Sequence, residues 1–282
     1  MKIKYYGTSA GAGIPEIFCS CRVCEYARAH KGKDYRTRSQ AVIDGVLGVD
    51  YSDVFQHTLH YGLDMREIKH VLITHDHYDH FMKADIISRA VGMTEPINFY
   101  FSEKSGAGLA KSVQARKDAF ASGTRKSNGN EVLVETHFLE KKVNYDIAGY
   151  NVIALPARHN GETLGAYIYI IQKDGKSILW AHDTGKFRTE TKEFLKECGI
   201  RFDLVSLDCT LERGAQITSG HMDVDWCQEM VELMREYGNV DGNTRVILSH
   251  IGHLVKRTHE ELAEEVAPLG MEVAYDGMVV EI

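Results

Sequence analysis

The stretch His75-Asp76-His77-Tyr78-Asp79-His80 decides how the whole sequence is interpreted. It follows an apolar run at residues 70–74 that is typical of a β-strand, so three imidazoles and a carboxylate crowd the loop at a strand end. Imidazole nitrogen and carboxylate oxygen are ligands for Zn²⁺, Mn²⁺ and Fe, and an H-x-H pair lets two rings of one extended loop reach a single ion. The loop therefore predicts a metal site in which Asp79 and His80 can serve a second ion.

One loop cannot complete two coordination spheres, so further ligands must follow later strands. Three residues repeat the placement directly after a strand-like run: His159, Asp183 and His250. Any one of them alone is more often a surface or core residue, but the repetition predicts that all three join the metal site. His182 neighbours Asp183 and should point away from it on an alternating backbone, which favours a structural role.

Three cysteines form a second candidate site in the Gly-rich loop after the first strand. Cys19, Cys21 and Cys24 make the pattern C-x-C-x2-C, and three thiolates this close usually share a Zn²⁺ ion, which needs a fourth ligand. His253 is the candidate because it lies three residues after His250. The alternative is that the cysteines are reduced surface thiols.

The composition of the 282-residue chain is that of a soluble globular enzyme, with 44% apolar residues and a formal net charge of −7. This acidic balance argues against broad nucleic-acid binding. No run approaches the ~20 apolar residues of a membrane-spanning helix, which argues against the membrane. The N-terminal residues lack the apolar region of a signal peptide. We therefore expect a cytoplasmic protein.

Short strand-like runs outnumber helical patterns, and the helical patterns come in groups rather than one per strand. This order favours two packed sheets with helices outside over a doubly wound sheet. The dipeptide Asp276-Gly277 predicts a tight hairpin turn between strands at residues 272–275 and 278–282. No linker or repeat is evident, so residues 1–282 are predicted to form a single domain.

A basic segment at residues 104–126 contains six lysines and arginines against one acidic residue. One interpretation is a solvated helix followed by a polar loop. The other is a basic insertion or mobile lid near residues 104–130 that meets an anionic substrate. In the second case Arg116 and Lys117 are candidate substrate-binding residues.

With these residues in place, the sequence resembles the metallo-β-lactamase-like hydrolase superfamily, whose hallmark is H-x-H-x-D-H followed by a distant His, Asp and His. The resemblance implies an α+β fold, a four-layer αββα sandwich with the site along the sheet edge. It implies one metal ion held by His75, His77 and His159. It implies a second ion held by Asp79, His80 and His250, with Asp183 bridging the two.

Within this superfamily the sequence resembles the PhnP-like branch of phosphoribosyl cyclic phosphodiesterases. The resemblance rests on the Gly-rich residues 7–13, the cysteine motif that follows them and His250-x2-His253. It supports one structural zinc ion on Cys19, Cys21, Cys24 and His253. It also assigns His221, by order and context, as a proton donor or phosphate contact above the metal ions.

The resemblance implies a metal-dependent phosphoric diester hydrolase acting on a small anionic cyclic phosphodiester, with 5-phosphoribosyl 1,2-cyclic phosphate as the leading candidate. Two divalent transition-metal ions, Zn²⁺ or Mn²⁺, would share a hydroxide that attacks phosphorus. Asp79 would orient the hydroxide, and His221 would protonate the leaving alkoxide. The oligomeric state is open, with a homodimer as the default expectation.

Two alternatives remain at this stage. A tRNA 3′-processing endonuclease shares the Gly-Thr-Ser opening, but it should have a long basic exosite and no C-x-C-x2-C motif. A non-hydrolytic relative, like the pyrroloquinoline-quinone biosynthesis protein B, also has a Gly-rich loop leading to close cysteines, and it would hold one structural zinc ion. The complete ligand set from His75 to His250 weighs against this second alternative.

Overall fold

The structure is a computed structural model that describes residues 1–88, 95–124, 133–161, 163–215 and 220–282. Its first six strands are β1 (Lys2–Gly7), β2 (Gln40–Ile43), β3 (Leu47–Val49), β4 (His70–Leu72), β5 (Ile97–Phe101) and β6 (Val134–Phe138). The next seven are β7 (Asn144–Ile147), β8 (Tyr150–Pro156), β9 (Tyr167–Lys173), β10 (Lys176–Ala181), β11 (Leu204–Asp208), β12 (Arg245–Ser249) and β13 (Met271–Val273). The last strand is β14 (Val279–Glu281).

These strands form two sheets of seven strands each. The first sheet has the order β14-β1-β2-β3-β4-β5-β6, and the second has the order β13-β12-β11-β10-β9-β8-β7. Both are mixed, because β3 to β6 and β10 to β13 run parallel within their sheets while the other pairs are antiparallel. Parallel strands place their carboxyl ends at one edge, which is where ligand sites of such sheets form.

Helices cover the outer faces of both sheets. They are α1 (Arg22–His30), α2 (Val54–Tyr61), α3 (Lys83–Ser88), α4 (Glu103–Ala121), α5 (Thr189–Glu197), α6 (Val224–Glu236) and α7 (His259–Val266). None of the helices that the structure describes is both long and apolar enough to cross a membrane.

Three hydrophobic clusters hold the four layers together. The middle cluster lies between the sheets and includes Tyr5 of β1 and Trp180 of β10, whose rings stack with centroids 5.3 Å apart. A second cluster packs α2, α3 and α4 on the first sheet, and a third packs α1, α5, α6 and α7 on the second. The predicted αββα sandwich is confirmed.

The predicted hairpin at Asp276-Gly277 is wrong. Strand β13 pairs with β12 in the second sheet, whereas β14 pairs with β1 in the first, so the dipeptide lies where the chain crosses between sheets. Gly277 has the positive φ that the dipeptide predicts, at 89°. The dipeptide therefore predicts the local turn conformation correctly, but the pairing partners of the two strands are set by packing between the sheets.

The Asp276 side chain ties this crossover to the N-terminal part of the chain. It is buried, and its Oδ1 accepts hydrogen bonds from the Thr8 amide and hydroxyl at 2.9 and 2.7 Å. Its Oδ2 accepts bonds from the Thr37 amide and hydroxyl, both at 2.6 Å. A carboxylate is required here because all four partners are donors.

Replacing Asp276 with asparagine is expected to lower the free energy of unfolding by about 1–3 kcal/mol. The amide NH₂ would face one pair of threonine donors, so buried hydrogen bonds are lost. Urea denaturation followed by circular dichroism measures the change, with Asp174→Asn at an exposed turn as the matched control. Equal urea midpoints for the two variants would contradict the role of Asp276 in stabilising the crossover between the sheets.

The described part of the basic segment is a regular helix that packs on the first sheet. Leu109 and Val113 of α4 are buried, and residues 125–130 of the predicted lid lie outside the described residues. The helix follows the carboxyl end of β5 and runs back along the sheet. Lys117 Nζ consequently reaches Glu135 Oε1 at 2.9 Å, near the start of β6.

The prediction that Arg116 and Lys117 bind substrate gains no support from this geometry. The candidate metal ligands follow the carboxyl ends of strands, whereas Lys117 lies toward the opposite, amino end of β6. Helix α4 begins at the carboxyl edge of the first sheet and runs away from it. Its last turns therefore lie far from the edge where the candidate metal ligands meet. The segment fits the solvated-helix interpretation.

Candidate metal centre

The structure brings together the loops after β4, β8, β10 and β12 at one edge of the sandwich. Two groups of ligand atoms meet there, and within each group all atoms lie within 4.8 Å of one another. The first group consists of His75, His77, His159 and Asp183. The second consists of Asp79, His80, Asp183 and His250. Asp183 belongs to both groups, as the resemblance implies.

The Asp183 carboxylate faces imidazoles from both sides. Its Oδ2 lies 3.0 Å from His75 Nε2 and 2.9 Å from His80 Nε2, and its Oδ1 lies 3.1 Å from His250 Nε2. Asp183 and His250 both have a left-handed backbone, with φ of 48° and 55°. Such conformations cost free energy and cluster at functional sites, so their pairing here marks the loop ends as a site.

Acceptors outside the cluster fix the rings of these histidines. His80 Nδ1 lies 2.6 Å from Asp50 Oδ2, His250 Nδ1 lies 3.2 Å from Asp208 Oδ2, and His159 Nδ1 lies 3.1 Å from the Gly220 carbonyl oxygen. An outer nitrogen that donates its N–H leaves the lone pair of the other nitrogen for a metal ion. The three Nε2 atoms are thereby directed inward.

The nitrogen and oxygen atoms that point into the cluster are arranged to contact cations rather than one another. His75 Nε2 and Asp183 Oδ1 are buried and have no well-aligned hydrogen bond within the structure. Two pairs of ring nitrogens also face each other closely, His80 Nε2 with His250 Nε2 at 3.2 Å and His77 Nδ1 with His159 Nε2 at 3.1 Å. Facing lone pairs repel unless a cation or proton lies between them, and nitrogen with oxygen donors suits Zn²⁺ or Mn²⁺.

Burial and neighbouring charges shift the pKa values of the candidate ligands in both directions. Burial lowers the pKa of His75 to about 3, with the neighbouring His80 adding to the effect. Burial opposes ionisation of Asp79 and Asp183, but the nearby His80 and His250 hold both carboxyl pKa values well below the ordinary range. Near neutral pH the carboxylates are therefore ionised and His75 is neutral, which are the ligand forms. Burial opposes a charge on His80 and His250, but the same carboxylates raise the pKa of His80 well above its ordinary value and that of His250 to about 10, so an ion that binds there would displace a proton from each of these two rings.

His221 lies beside the cluster, with its ring centroid 5.1 Å from that of His159. Its Nδ1 is 2.9 Å from Asp208 Oδ2, its side chain is 25% exposed, and its Nε2 makes no hydrogen bond to any residue that the structure describes. Burial opposes a charge on this ring, but Asp208 and Asp183 raise the pKa of His221 above its ordinary value. The ring is thus oriented by one nitrogen and presents the other outward.

Sequence reasoning missed two carboxylates that orient these rings. Asp208 ends β11 and also accepts a hydrogen bond from the Met222 amide at 3.0 Å, and Asp50 directly follows β3. Asp208 also belongs to a further group of potential ligands, which shares two members with the second group: Asp183, Asp208, His221 and His250. Both missed residues stand at the end of a strand, the same signal that identified the ligands.

His182 lies on the other side of the strand from the cluster. Its Nε2 is 2.8 Å from the Ser206 hydroxyl, and its ring centroid is 4.2 Å from that of Trp180. It belongs to none of the ligand groups that the described residues form. This placement fits the structural role that strand alternation predicts.

The cysteine motif and His253 form a separate group of four atoms within 4.8 Å of one another: Cys19, Cys21, Cys24 and His253. His253 Nδ1 is 3.5 Å from Cys19 Sγ and 3.7 Å from Cys21 Sγ, while its Nε2 faces Glu16 Oε2 at 3.5 Å. Burial opposes the Cys21 thiolate, but hydrogen bonds with the Cys24 backbone and His253 lower the Cys21 pKa to about 6. Three sulfurs and one imidazole suit a tetrahedral Zn²⁺ site.

The fold and these ligand groups define a metallo-β-lactamase-fold protein. A family model described as the beta-lactamase superfamily domain matches residues 41–251, and the chain belongs to that superfamily. The match includes every predicted ligand of the two active-site groups.

Solved structures share this fold over the whole chain. A diphosphatase of the PhnP family has a TM-score of 0.72 and 22% identity, with 100% of this chain and 98% of that chain covered. Zn²⁺-bound PqqB from Methylobacterium extorquens has a TM-score of 0.72 and 18% identity, with 100% of both chains covered. The short form of human tRNase Z has a TM-score of 0.65 and 16% identity, with 100% and 99% covered.

Among curated proteins, the chain is 24% identical over 285 residues to the octanoyltransferase of Porphyromonas gingivalis (strain ATCC BAA-308 / W83). The alignment covers 99% of this chain and 51% of that protein, so the chain spans about half the length of the curated relative it matches. Together, the superfamily, the diphosphatase and tRNase Z relatives and the ligand groups support a metal-binding hydrolase as the general class.

Proposed function

We propose that this chain is a metal-dependent phosphodiesterase that opens a small cyclic phosphodiester, with 5-phosphoribosyl 1,2-cyclic phosphate as the leading candidate. One observation carries the proposal: two ligand groups share Asp183, and beside them His221 presents an Nε2 that no described residue bonds. This arrangement places a proton donor next to a pair of candidate metal sites. The PhnP-family diphosphatase among the structural relatives is consistent with phosphoryl chemistry but shares only the fold.

Residues of both ligand groups and His221 would act on the substrate. Two divalent ions held by the ligand groups would supply hydroxide at neutral pH and neutralise charge on the phosphate oxygens. Asp79 Oδ2, 3.4 Å from His80 Nε2 and 3.8 Å from His250 Nε2, accepts a hydrogen bond from the attacking water and orients it. His221 Nε2 donates a proton to the departing alkoxide while Asp208 stabilises the charged ring.

The cysteine group is proposed to hold a structural zinc ion. It joins the N-terminal loop to the segment that follows His250, because His253 lies only three residues beyond that ligand. An ion at this position stabilises the loop end from which His250 projects. The site thus links the stability of the N-terminal loop to the geometry of the second ligand group.

Metal analysis is expected to find about three ions per chain, two at the His/Asp groups and one at the cysteine group. Cys21→Ser should lose one zinc ion and retain two, because serine is a poor ligand for Zn²⁺. Cys198→Ser, at a free cysteine outside the motif, is the matched control and should retain all three. One ion per chain would favour a non-hydrolytic protein like PqqB.

The endonuclease alternative receives less support. The chain has a formal net charge of −7, and the described part of its basic segment is a helix whose Lys117 pairs with Glu135. A protein that binds long nucleic acids needs unpaired basic side chains to neutralise phosphates. The octanoyltransferase relative is about twice as long as this chain, and its name makes a thioester a suitable test substrate.

The reaction class can be tested with a panel of metal-loaded assays. We expect hydrolysis of bis(4-nitrophenyl) phosphate and little hydrolysis of an octanoyl thioester or a β-lactam, because a phosphodiester places negative charge between the two ligand groups. The Asp183→Asn variant serves as the blank. A preference for the thioester would overturn the phosphodiesterase proposal and leave the hydrolase class in place.

A further inference from the structure

Arg158 stands next to the ligand His159, in the loop that follows β8. Its amide donates to Thr184 Oγ1 at 3.0 Å, and its carbonyl oxygen accepts from the Gly185 amide at 3.0 Å. These two bonds join its backbone to the loop that carries Asp183. Arg158 therefore has a fixed position relative to both ligand loops.

The Arg158 guanidinium has no partner among the residues that the structure describes. The side chain is exposed, and it makes no hydrogen bond or ion pair in the described part of the chain. Among the arginines that the structure describes, Arg235 alone shares this condition, and it lies in the last turn of α6. Arg188, on the loop after β10, bonds instead to the carbonyl oxygens of Ala157 and Gly161.

Gly185 leaves room for the Arg158 side chain. A Cβ added at Gly185 would lie 3.3 Å from Arg158 Cδ, 3.5 Å from the Gly220 amide nitrogen and 3.6 Å from the His221 carbonyl oxygen. The arginine side chain and the segment that carries His221 thus lie against the same glycine. Its positive charge, which no described residue pairs, therefore lies at the edge of the candidate active site.

We propose that Arg158 binds a second phosphate group of the substrate, separate from the phosphorus that reacts. A guanidinium offers a planar fork of donors that matches phosphate oxygens, and it remains charged at any physiological pH. The surroundings otherwise present carboxylates, namely Asp79, Asp183 and Asp208. The two candidate metal ions would serve the reacting phosphate, so a second anionic group needs a cation of its own, and Arg158 selects phosphorylated cyclic diesters over their unphosphorylated analogues.

This inference rests on the proposed function, and it replaces the role that the sequence assigned to Arg116 and Lys117. It also narrows the substrate class to cyclic diesters with a phosphate monoester elsewhere on the sugar. Ribose 1,2-cyclic phosphate with and without a 5-phosphate is therefore the matched pair of test substrates.

The test compares selectivity for this pair, given as the ratio of the two kcat/KM values. Arg158→Gln should lower the ratio about ten- to a hundredfold, mainly through KM for the phosphorylated substrate, since the loss is that of a charge-assisted hydrogen bond pair. Arg158→Lys should give an intermediate ratio because it keeps the charge and loses the fork. Arg235→Gln, the other arginine without a partner, should leave the ratio unchanged.

Calorimetric titration of the metal-loaded protein with ribose 5-phosphate gives a readout that does not depend on turnover. Binding that weakens at least tenfold in Arg158→Gln supports the inference even if neither cyclic substrate is opened, in which case the proposed function alone fails. An unchanged selectivity ratio in an active enzyme would overturn the inference. In an inactive enzyme, binding of ribose 5-phosphate that is the same with and without Arg158 would also overturn the inference.

Discussion

Asp183→Asn is expected to reduce phosphodiester hydrolysis by at least about a thousandfold and to lower the metal content of the active-site groups. The Asp183 carboxylate contacts ring nitrogens from both groups, so its charge belongs to both candidate metal sites. An amide keeps the shape but offers one neutral oxygen, which cannot hold two cations together. Metal analysis and a bis(4-nitrophenyl) phosphate assay measure the two effects.

The matched control for this variant is Asp225→Asn, at an exposed aspartate that pairs with Arg213. It should retain metal content and rate, since its carboxylate lies on the surface of α6 and its ion pair contributes little. An Asp183→Asn protein that keeps both ions and its rate would contradict the assignment of Asp183 as the shared ligand. Circular dichroism of both variants checks that the fold is retained.

The second large effect is expected at His221. His221→Gln should lower kcat for an alkoxide-releasing cyclic diester by about a hundred- to ten-thousandfold, the range of general acid catalysis. It should lower the rate far less for bis(4-nitrophenyl) phosphate, because 4-nitrophenolate leaves without a proton. The ratio of the two losses separates proton donation from a structural effect, which would reduce both rates alike.

His60→Gln provides the control, since His60 is an exposed residue of α2 that bonds only to Gln56. It should change neither rate. Equal losses on both substrates for His221→Gln would assign His221 to binding of the reacting phosphate and would end its role as proton donor. The Asp208–His221 contact predicts that Asp208→Asn has a smaller loss in the same direction, because the ring would lose its orienting carboxylate.

The ligand set could be predicted because metal binding restricts both residue type and position. Every predicted ligand follows the end of a strand, and strand ends can be located from apolar runs. His75 and His250 therefore came from the sequence although they are 175 positions apart. The layer order followed from the grouping of helices and from the resemblance.

The features that were missed or misplaced depend on packing between distant segments. Asp50 and Asp208 orient rings from other loops, and a lone aspartate after a strand gives no sign of which ring it will meet. The dipeptide at the Asp276 crossover is typical of a hairpin. Turn residues determine the local conformation of the chain but do not determine which strands pair. Arg116 and Lys117 have a suitable charge, but the direction of α4 relative to β6 decides where that charge lies.

The candidate role of Arg158 also could not be predicted from the sequence. Its sequence context, directly before a candidate ligand histidine, gives no indication that the guanidinium has no partner among the described residues. That condition emerges only when the hydrogen bonds of the other described arginines are accounted for. Charge in the sequence therefore marks candidates for substrate binding, and the three-dimensional contacts decide among them.

Phosphorus NMR of the metal-loaded protein tests the central claim most directly. The substrates are 5-phosphoribosyl 1,2-cyclic phosphate and a 2′,3′-cyclic nucleotide, with Asp183→Asn as the blank. We expect the first ring to open to a phosphate monoester at a rate that the blank lacks. If neither ring opens in a protein shown to hold both active-site ions, the account of this chain as a cyclic phosphodiesterase is contradicted.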